Sequence, residues 1–267
     1  MTHALFDLSG RVGLVSGTAQ GMGRSMAIAF AEAGADVMIV DINEEGVQRT
    51  AEHIRSLGRR AVPLAVDITD ISQIREMFAR LDKEFGRIDV LGNVAGPGKL
   101  AKPEEIPIET MGQIVHGLTV ARFACCQEAG RRMLAAGKGS IINIGSLASL
   151  TALGRGNFAY SVGMGGVAMM TRELSTEWSG RGVRVNAILP AQVINPGLTE
   201  RMAADPNLAN TFLRGIPIGR FGQPDDIKGL AIFLASDASA FITGALIPMD
   251  GGNLAMNAGG SVGPHIV

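Results

Sequence analysis

The stretch that decides the fold is residues 16–23, which read SGTAQGMG. It follows a short apolar run and opens a helical pattern. Its glycines permit positive φ angles and allow a backbone to approach a pyrophosphate closely. The free N–H groups at the start of the next helix favour an anion at the same place. A plain strand-to-helix turn needs the same glycines, so this stretch alone leaves both interpretations open.

Outward from this turn, short β-rich runs alternate with longer helical patterns. Continuous apolar runs separated by helices predict a parallel sheet that is covered on both faces. Right-handed crossovers between the strands then give a doubly wound, Rossmann-like α/β fold. In the segment after Ser72, residues Ile74, Met77, Phe78, Leu81 and Phe85 recur with the helical period. The predicted strands are residues 12–16, 36–40, 61–66, 88–92, 140–144, 184–188 and 245–249.

The chain is expected to form a single domain over residues 1–255. Its 267 residues suffice for one large core, and no linker, internal repeat or low-complexity block interrupts them. Residues 256–267 contain three glycines and no helical pattern. We expect this segment to be a tail, either flexible or ordered only against a neighbour.

Bulk composition excludes several classes of partner. The formal net charge is −1, so no electrostatic footprint for nucleic acid or an acidic membrane is visible. No apolar run approaches the roughly 20 residues that span a bilayer, and no signal-peptide pattern is read at the N-terminus. Cys125 and Cys126 are adjacent, which disfavours a disulfide between them. We expect a cytoplasmic protein with no membrane, nucleic-acid or metal partner.

Asp41 indicates which nucleotide the turn would take. It ends the second predicted strand, where a carboxylate can accept hydrogen bonds from both hydroxyls of an adenosine ribose and would repel a 2′-phosphate. The residues that follow it, Ile42, Asn43 and Glu44, include no arginine. This pattern favours NAD over NADP, although an isolated Asp can also serve as a helix cap.

Several runs resemble the short-chain dehydrogenase/reductase family in order, from about Arg11 to Gly252. They are the glycine turn at 16–23, the Asp67-Ile68 pair, the run Asn-Val-Ala-Gly at 93–96, the strand at 140–146 that ends in Ser146, and Tyr-Ser-Val-Gly-Met at 160–164. The last run resembles the active-site signature Tyr-x-x-x-Lys of that family. Residues 184–195, 219–226 and 243–252 resemble its C-terminal half.

The resemblance implies a set of roles for these residues. Ser146 would polarise a substrate carbonyl and Tyr160 would pass the proton. Residues 195–215 would form a substrate lid, and the chain would assemble as a homo-oligomer, with a tetramer favoured. The implied cofactor-binding positions are Gly17, Gln20, Gly21, Met22, Gly23, Asp41, Ile42, Asp67, Ile68, Asn93, Ala95, Gly96, Tyr160, Pro190, Val193 and Asn195.

Two positions depart from the family pattern. Met164 stands where the family has the lysine that promotes ionisation of the tyrosine and holds the nicotinamide ribose. Leu118 stands where the family has an asparagine that anchors a water relay, and His116, about 200° round a regular helix from it, should not replace that asparagine. The nearest cation along the same helix, Arg172, is too far away. The altered relay implies slow turnover, since acid–base assistance is typically worth about 10²–10⁴-fold.

The substrate end of the sequence suggests a neutral, fairly apolar alcohol or ketone. The expected apolar lining is Leu147, Leu150, Leu153, Phe158, Ile194 and Met202, although these residues could equally be ordinary core. Lys99, Lys102 and Arg155 are interpreted as solvated surface charges.

The sequence thus predicts an NAD-dependent oxidoreductase that transfers hydride between the cofactor and a carbonyl or alcohol. Two alternatives stay open. One is a nucleotide-binding chain without useful redox activity, and the other is a lyase or isomerase that uses the reshaped pocket.

Overall fold

The computed structural model describes residues 4–256, in which seven parallel strands form one sheet. The strand order is β3-β2-β1-β4-β5-β6-β7. The order reverses between β1 and β4, and this switch point opens a crevice at the carboxyl ends of the strands. The strands are β1 (Val12–Ser16), β2 (Asp36–Asp41), β3 (Ala61–Ala65), β4 (Val90–Asn93), β5 (Gly139–Ile144), β6 (Val183–Pro190) and β7 (Leu246–Met249). The predicted α/β, doubly wound, single-domain fold is confirmed.

Helices cover both faces of the sheet. The α-helices are α1 (Gly21–Glu32), α2 (Glu44–Ser56), α3 (Ile71–Phe85), α4 (Ile108–Val115), α5 (Ala121–Ala136), α6 (Phe158–Trp178), α7 (Pro196–Ala204), α8 (Leu208–Leu213), α9 (Lys228–Ala235) and α10 (Asn253–Met256). One apolar core lies between the sheet and α3, α5 and α6, and a second lies between the sheet and α1, α2 and α9. Because both faces are covered, all residues of β1 and β5 are buried.

Helix α3 shows how the local sequence sets an element. Asp70 precedes it and accepts hydrogen bonds from the N–H groups of Ser72 at 2.8 Å and Gln73 at 3.4 Å, which satisfies donors that the first helical turn leaves free. Gly86 ends it with a left-handed φ of 68°. The predicted apolar face is buried at Ile74, Met77, Phe78 and Leu81.

The helix before β5 is not one regular α-helix. A π-helical turn, His116–Val120, lies between α4 and α5. A π turn holds one residue more than an α turn, so the angle of 200° expected between His116 and Leu118 does not apply. The structure still separates His116 from the proton-transfer residues, because its Nε2 lies 2.9 Å from the carbonyl oxygen of Thr69.

Two further expectations concern the ends of the chain and its cysteines. Met256 ends α10, and the rest of the predicted tail lies outside the described residues. Cys125 and Cys126 are free and buried, as expected. Within residues 4–256, no helix is long and apolar enough to cross a membrane.

Candidate active site

The glycine turn joins β1 to α1 at the switch point of the sheet. Gly17 has a φ of 73° and Gly21 a φ of 60°, conformations that L-residues with side chains rarely adopt. A Cβ added at Gly17 would lie 3.2 Å from the backbone N of Ala95. Gln20 precedes α1 without a side-chain cap, so the first N–H groups of the helix stay open to an anion. These residues fit the pyrophosphate of a dinucleotide.

The carboxylate of Asp41 is held beside this turn. One oxygen accepts from the N–H of Ala19 at 3.1 Å, and the other accepts from the N–H of Asn43 at 3.0 Å. Ile42, next to it, is largely exposed. The hydrogen bond from Ala19 therefore holds Asp41, at the end of β2, beside the loop that would hold the pyrophosphate. The interpretation of Asp41 as a ribose ligand requires this position.

Other predicted cofactor positions have side chains that are engaged within the protein itself. Asp67 accepts from the N–H and hydroxyl of Thr69, both at 2.8 Å, and Ile68 is buried in the core. The Asn93 side chain is fully buried and donates to the carbonyl of Arg122 at 3.0 Å and to Asn143 Oδ1 at 3.2 Å. These two hydrogen bonds hold the end of β4 in place.

A cavity of about 550 Å³ opens at the carboxyl edge of the sheet and gathers most of the remaining predicted site residues. Its walls come from the glycine turn, the loop after β4, the π turn, α6, the loop after β6, and α7. The predicted residues that line it are Met22, Gly96, Leu118, Ser146, Tyr160, Met164, Pro190, Val193 and Asn195. The fold therefore brings these distant parts of the sequence together at one cavity.

Ser146 and Tyr160 reach this cavity from different elements. Ser146 follows β5, and its Oγ accepts from the N–H of Ala148 at 3.2 Å, which caps the short turn Leu147–Ser149. Tyr160 lies in the first turn of α6. Within residues 4–256, its hydroxyl has no hydrogen-bond partner, so it is free to bond a ligand in the cavity.

The loop after β6 ends at Asn195, which caps α7. Its Oδ1 accepts from the N–H of Leu198 at 3.0 Å, and its Nδ2 donates to the carbonyl of Val193 at 2.9 Å. Gln192, on the same loop, lines the cavity, and its Oε1 is buried without a partner. A buried acceptor without a hydrogen-bond partner destabilises the folded state. The amide N–H of a bound nicotinamide is therefore a suitable donor to Gln192 Oε1.

Met164 and Leu118 form one apolar wall of the cavity. Both are buried. A Cβ added at Gly163 would lie 2.8 Å from Leu118 Cδ1, and one added at Gly166 would lie 2.7 Å from Thr119 Oγ1. These two glycines therefore let α6 approach the π turn of the same chain. Gly165 has open space beside it instead.

Sequence reasoning missed Arg122, on the first turn of α5. It is 2% exposed, and its guanidinium lines the cavity. Nε donates to the carbonyl of Ala95 at 2.9 Å, Nη2 donates to that of Val94 at 2.7 Å, and Nη1 donates to that of Ile144. The sequence analysis considered a substitute cation only along the helix of Tyr160, whereas Arg122 reaches the same cavity from α5. A lone arginine within the apolar run of residues 117–126 was the available signal.

The substrate end also differs from expectation. Of the six apolar residues expected to line it, Leu147 and Leu153 line the cavities there, whereas Leu150 and Phe158 are exposed. Lys102 forms a surface ion pair with Glu105 at 2.7 Å. Lys99 and Arg155 instead line the cavity, together with Arg201.

Comparison with known proteins agrees with this architecture. The sequence profile of the family described as "Enoyl-(Acyl carrier protein) reductase" matches residues 17–253. D-threitol dehydrogenase from Mycolicibacterium smegmatis is 39% identical over 92% of this chain and 94% of its own. NAD-dependent glycerol dehydrogenase from Listeria innocua is 36% identical over 92% of this chain and 95% of its own.

A solved structure shares the fold closely. A gluconate 5-dehydrogenase from Burkholderia cenocepacia, in complex with NADP and tartrate, has a TM-score of 0.88 at 32% identity over 95% of this chain and 99% of its own. The sheet order and glycine turn define a dinucleotide-binding α/β fold. Within that class, the chain belongs to the short-chain dehydrogenase/reductase family, whose named relatives here are dehydrogenases.

Proposed function

We propose that this chain is an NAD-dependent oxidoreductase that transfers hydride between the nicotinamide and an alcohol or ketone. The observation that carries the proposal is the single cavity that holds Ser146 and Tyr160 beside Met22 of the glycine turn. A nicotinamide nucleotide, when bound, supplies the hydride acceptor. Ser146 would orient the substrate oxygen, and the ionised oxygen of Tyr160 would take the hydroxyl proton of the alcohol as the ketone forms, whereas in the reverse direction the Tyr160 hydroxyl would return that proton.

The preference for NAD rests on Asp41. Both of its oxygens are fixed by backbone N–H groups, so the carboxylate cannot easily swing away from a ribose beside it. A 2′-phosphate would meet this negative charge. The relatives divide on this point, because one is named NAD-dependent and another was solved with NADP.

The cations at the cavity mouth support a substrate that carries a carboxylate. Arg155 has a φ of 54°, rare for a residue with a side chain, and its guanidinium lies 4.6 Å from the centre of the Phe212 ring. Partial burial and the nearby charge of Arg201 lower the pKa of Arg155. Two guanidinium groups that repel each other, with no Asp or Glu among the described cavity-lining residues, form a receptor for an anion. The solved relative that contains tartrate holds a hydroxy acid.

The substrate proposal predicts a specific kinetic pattern. Arg201→Met should raise KM for a hydroxy acid by about tenfold while KM for a neutral polyol stays the same, because the lost interaction is with the carboxylate. Lys102→Met is the matched control, since Lys102 pairs with Glu105 away from the cavity. If Arg201→Met raised KM equally for both substrates, the proposal that the substrate carries a carboxylate would be wrong.

A set of exposed apolar residues bears on how the chain assembles. The π turn, α5 and α6 expose large apolar side chains in the single chain, namely Val120, Phe123, Val162 and Met169. We propose that they are covered in a cytoplasmic homotetramer. Light scattering at micromolar concentration tests this, and a monomer would contradict it.

Stopped-flow reduction of NAD over a panel of polyols and hydroxy acids tests the proposed function. We expect NADH to form with at least one of them. If calorimetry shows NAD binding while no alcohol reduces it and no ketone oxidises NADH, the chain is the nucleotide-binding protein of the first alternative. Conversion of a substrate without any change in the cofactor would identify the lyase or isomerase.

A further inference from the structure

Arg122 is a buried cation that the protein holds in one orientation. All three nitrogens of its guanidinium donate to carbonyl oxygens, those of Val94, Ala95 and Ile144. These carbonyls lie at the carboxyl ends of β4 and β5, which also carry the loop after β4 and Ser146. The planar guanidinium suits such a divergent set of acceptors better than an ammonium would. Its charge is therefore fixed at the edge of the catalytic cavity.

The charge of Arg122 is not paired within residues 4–256, where it forms no ion pair with a carboxylate. Burial lowers its pKa to about 10, and the largest opposing effect comes from the negative form of Tyr160. At neutral pH the guanidinium therefore stays charged. Burial raises the pKa of the Cys126 thiol to about 12, so this neighbour is uncharged at neutral pH and does not compensate.

The short loop after β4 places Arg122 close to Tyr160. A Cβ added at Gly96 would lie 2.9 Å from Arg122 Nη2, and one added at Gly98 would lie 3.8 Å from Tyr160 Cδ2. Two residues of extended chain span at most about 7 Å. Both side chains also line the same cavity. A fixed cation and the tyrosine thus flank one short stretch of backbone.

We propose that Arg122 supplies, from α5, the positive charge that the family otherwise takes from a lysine at position 164. The inference rests on the proposed function, in which Tyr160 takes a proton from the alcohol. Since the guanidinium nitrogens are engaged with carbonyls, Arg122 acts through space as a positioning residue that favours the ionised tyrosine. It does not replace the lysine as a ligand of the nicotinamide ribose.

Other charged or titratable groups near Tyr160 are weaker candidates for this role. Lys99, Arg155 and Arg201 line the cavity from the loop after β4, the loop before α6, and α7. All three are far more exposed than Arg122, so water and salt screen their charges more strongly than that of Arg122. His116, on the π turn, is held by the carbonyl oxygen of Thr69. No Asp or Glu is found among the described lining residues.

A direct test uses the tyrosine count. Tyr160 is the one tyrosine of the chain, so the near-ultraviolet absorbance of tyrosinate reports this residue alone, without substrate or cofactor. Tyr160→Phe gives the blank. In Arg122→Gln, the titration midpoint should rise by about one pH unit, because a charge roughly 14 Å away, the span that this stretch of backbone allows, still contributes about that much where the effective dielectric constant is about 20.

Two further variants separate charge from structure. Arg184 is the matched control, since it is a partly buried arginine that donates to the carbonyl of Leu234 at 2.9 Å and to that of Ser236 at 3.2 Å, away from the cavity. Arg184→Gln should leave the titration midpoint unchanged. Arg122→Gln combined with Met164→Lys moves the cation to the family position and should restore the midpoint.

The outcomes separate this inference from the proposed function. An unchanged midpoint in folded Arg122→Gln, checked by circular dichroism, would overturn the role of Arg122 whatever the activity. A shifted midpoint with no turnover on any alcohol would support the role and contradict the proposed function. If Arg122→Gln does not fold, Arg122→Met, which keeps an unbranched side chain but removes the charge, decides in the same way: a raised midpoint supports the role of Arg122, and an unchanged midpoint overturns it.

Discussion

The glycine turn after β1 and the proton-transfer end after β5 lie along the same edge of one sheet, but they are held by different means. The first is shaped by backbone, with two glycines at positive φ and one carboxylate, Asp41, fixed by N–H groups. The second is shaped by side chains from the π turn, α5 and α6. A backbone conformation that needs glycine tolerates few substitutions. In a packed cluster of side chains, by contrast, a residue from a different element can take over the same role.

Replacing Tyr160 should give the largest effect and should be confined to the proton-transfer end. In Tyr160→Phe, the single-turnover rate of NAD reduction should fall by about 10²–10⁴-fold, since the proton acceptor is lost. The affinity for ADP should stay within about twofold, because ADP would use only the glycine turn and Asp41. Stopped-flow fluorescence and calorimetry measure the two quantities. A loss of ADP binding would show that the two ends are not independent.

Asp41 gives the reciprocal test at the nucleotide end. Asp41→Ala should reduce the preference for NAD over NADP by about ten- to a hundredfold, because the charge that repels a 2′-phosphate is removed. Titration with both cofactors by calorimetry measures the ratio. Asp36→Ala is the control, since Asp36 lies at the other end of β2 and pairs with Arg59 at 2.7 Å. Equal affinities of the native chain for both cofactors would contradict the NAD assignment.

The glycines of α6 test the packing of the apolar wall. Gly163→Ala gains up to about 1 kcal/mol in helix propensity, but its Cβ would lie 2.8 Å from Leu118. Overpacking costs about 1–3 kcal/mol, so the net change in the free energy of unfolding should be a small loss. Gly165→Ala, with open space beside it, should instead stabilise by up to about 1 kcal/mol. Urea unfolding gives both values, and equal effects would show that the wall at Leu118 is loose.

Most of the fold followed from the sequence because buried parallel strands are continuous apolar runs. β1 was predicted with its observed bounds, and β4 was predicted to begin at residue 88 rather than at Val90. The placement of Ser146, Tyr160 and Met164 along one cavity followed from the family pattern.

The features that the sequence did not predict depend on contacts between segments that lie far apart along the chain. The period of an amphipathic helix did not predict the π turn at His116–Val120, and it did not predict the close approach of this turn to α6 at Gly163 and Gly166. Arg122 could be placed in the site only after the carbonyls of Val94, Ala95 and Ile144 were known to converge on it. The cations at the cavity mouth come from three separate segments, and no spacing along the chain links them.

The π turn has a consequence for the phase between two helices. Since it holds one residue more than an α turn, it sets the rotation of α4 relative to α5. Deleting one residue of His116–Val120 would turn α4 by about 100° about its axis. Ile114, which is buried on α4, would then leave the core, so this segment should tolerate substitutions far better than a change in its length.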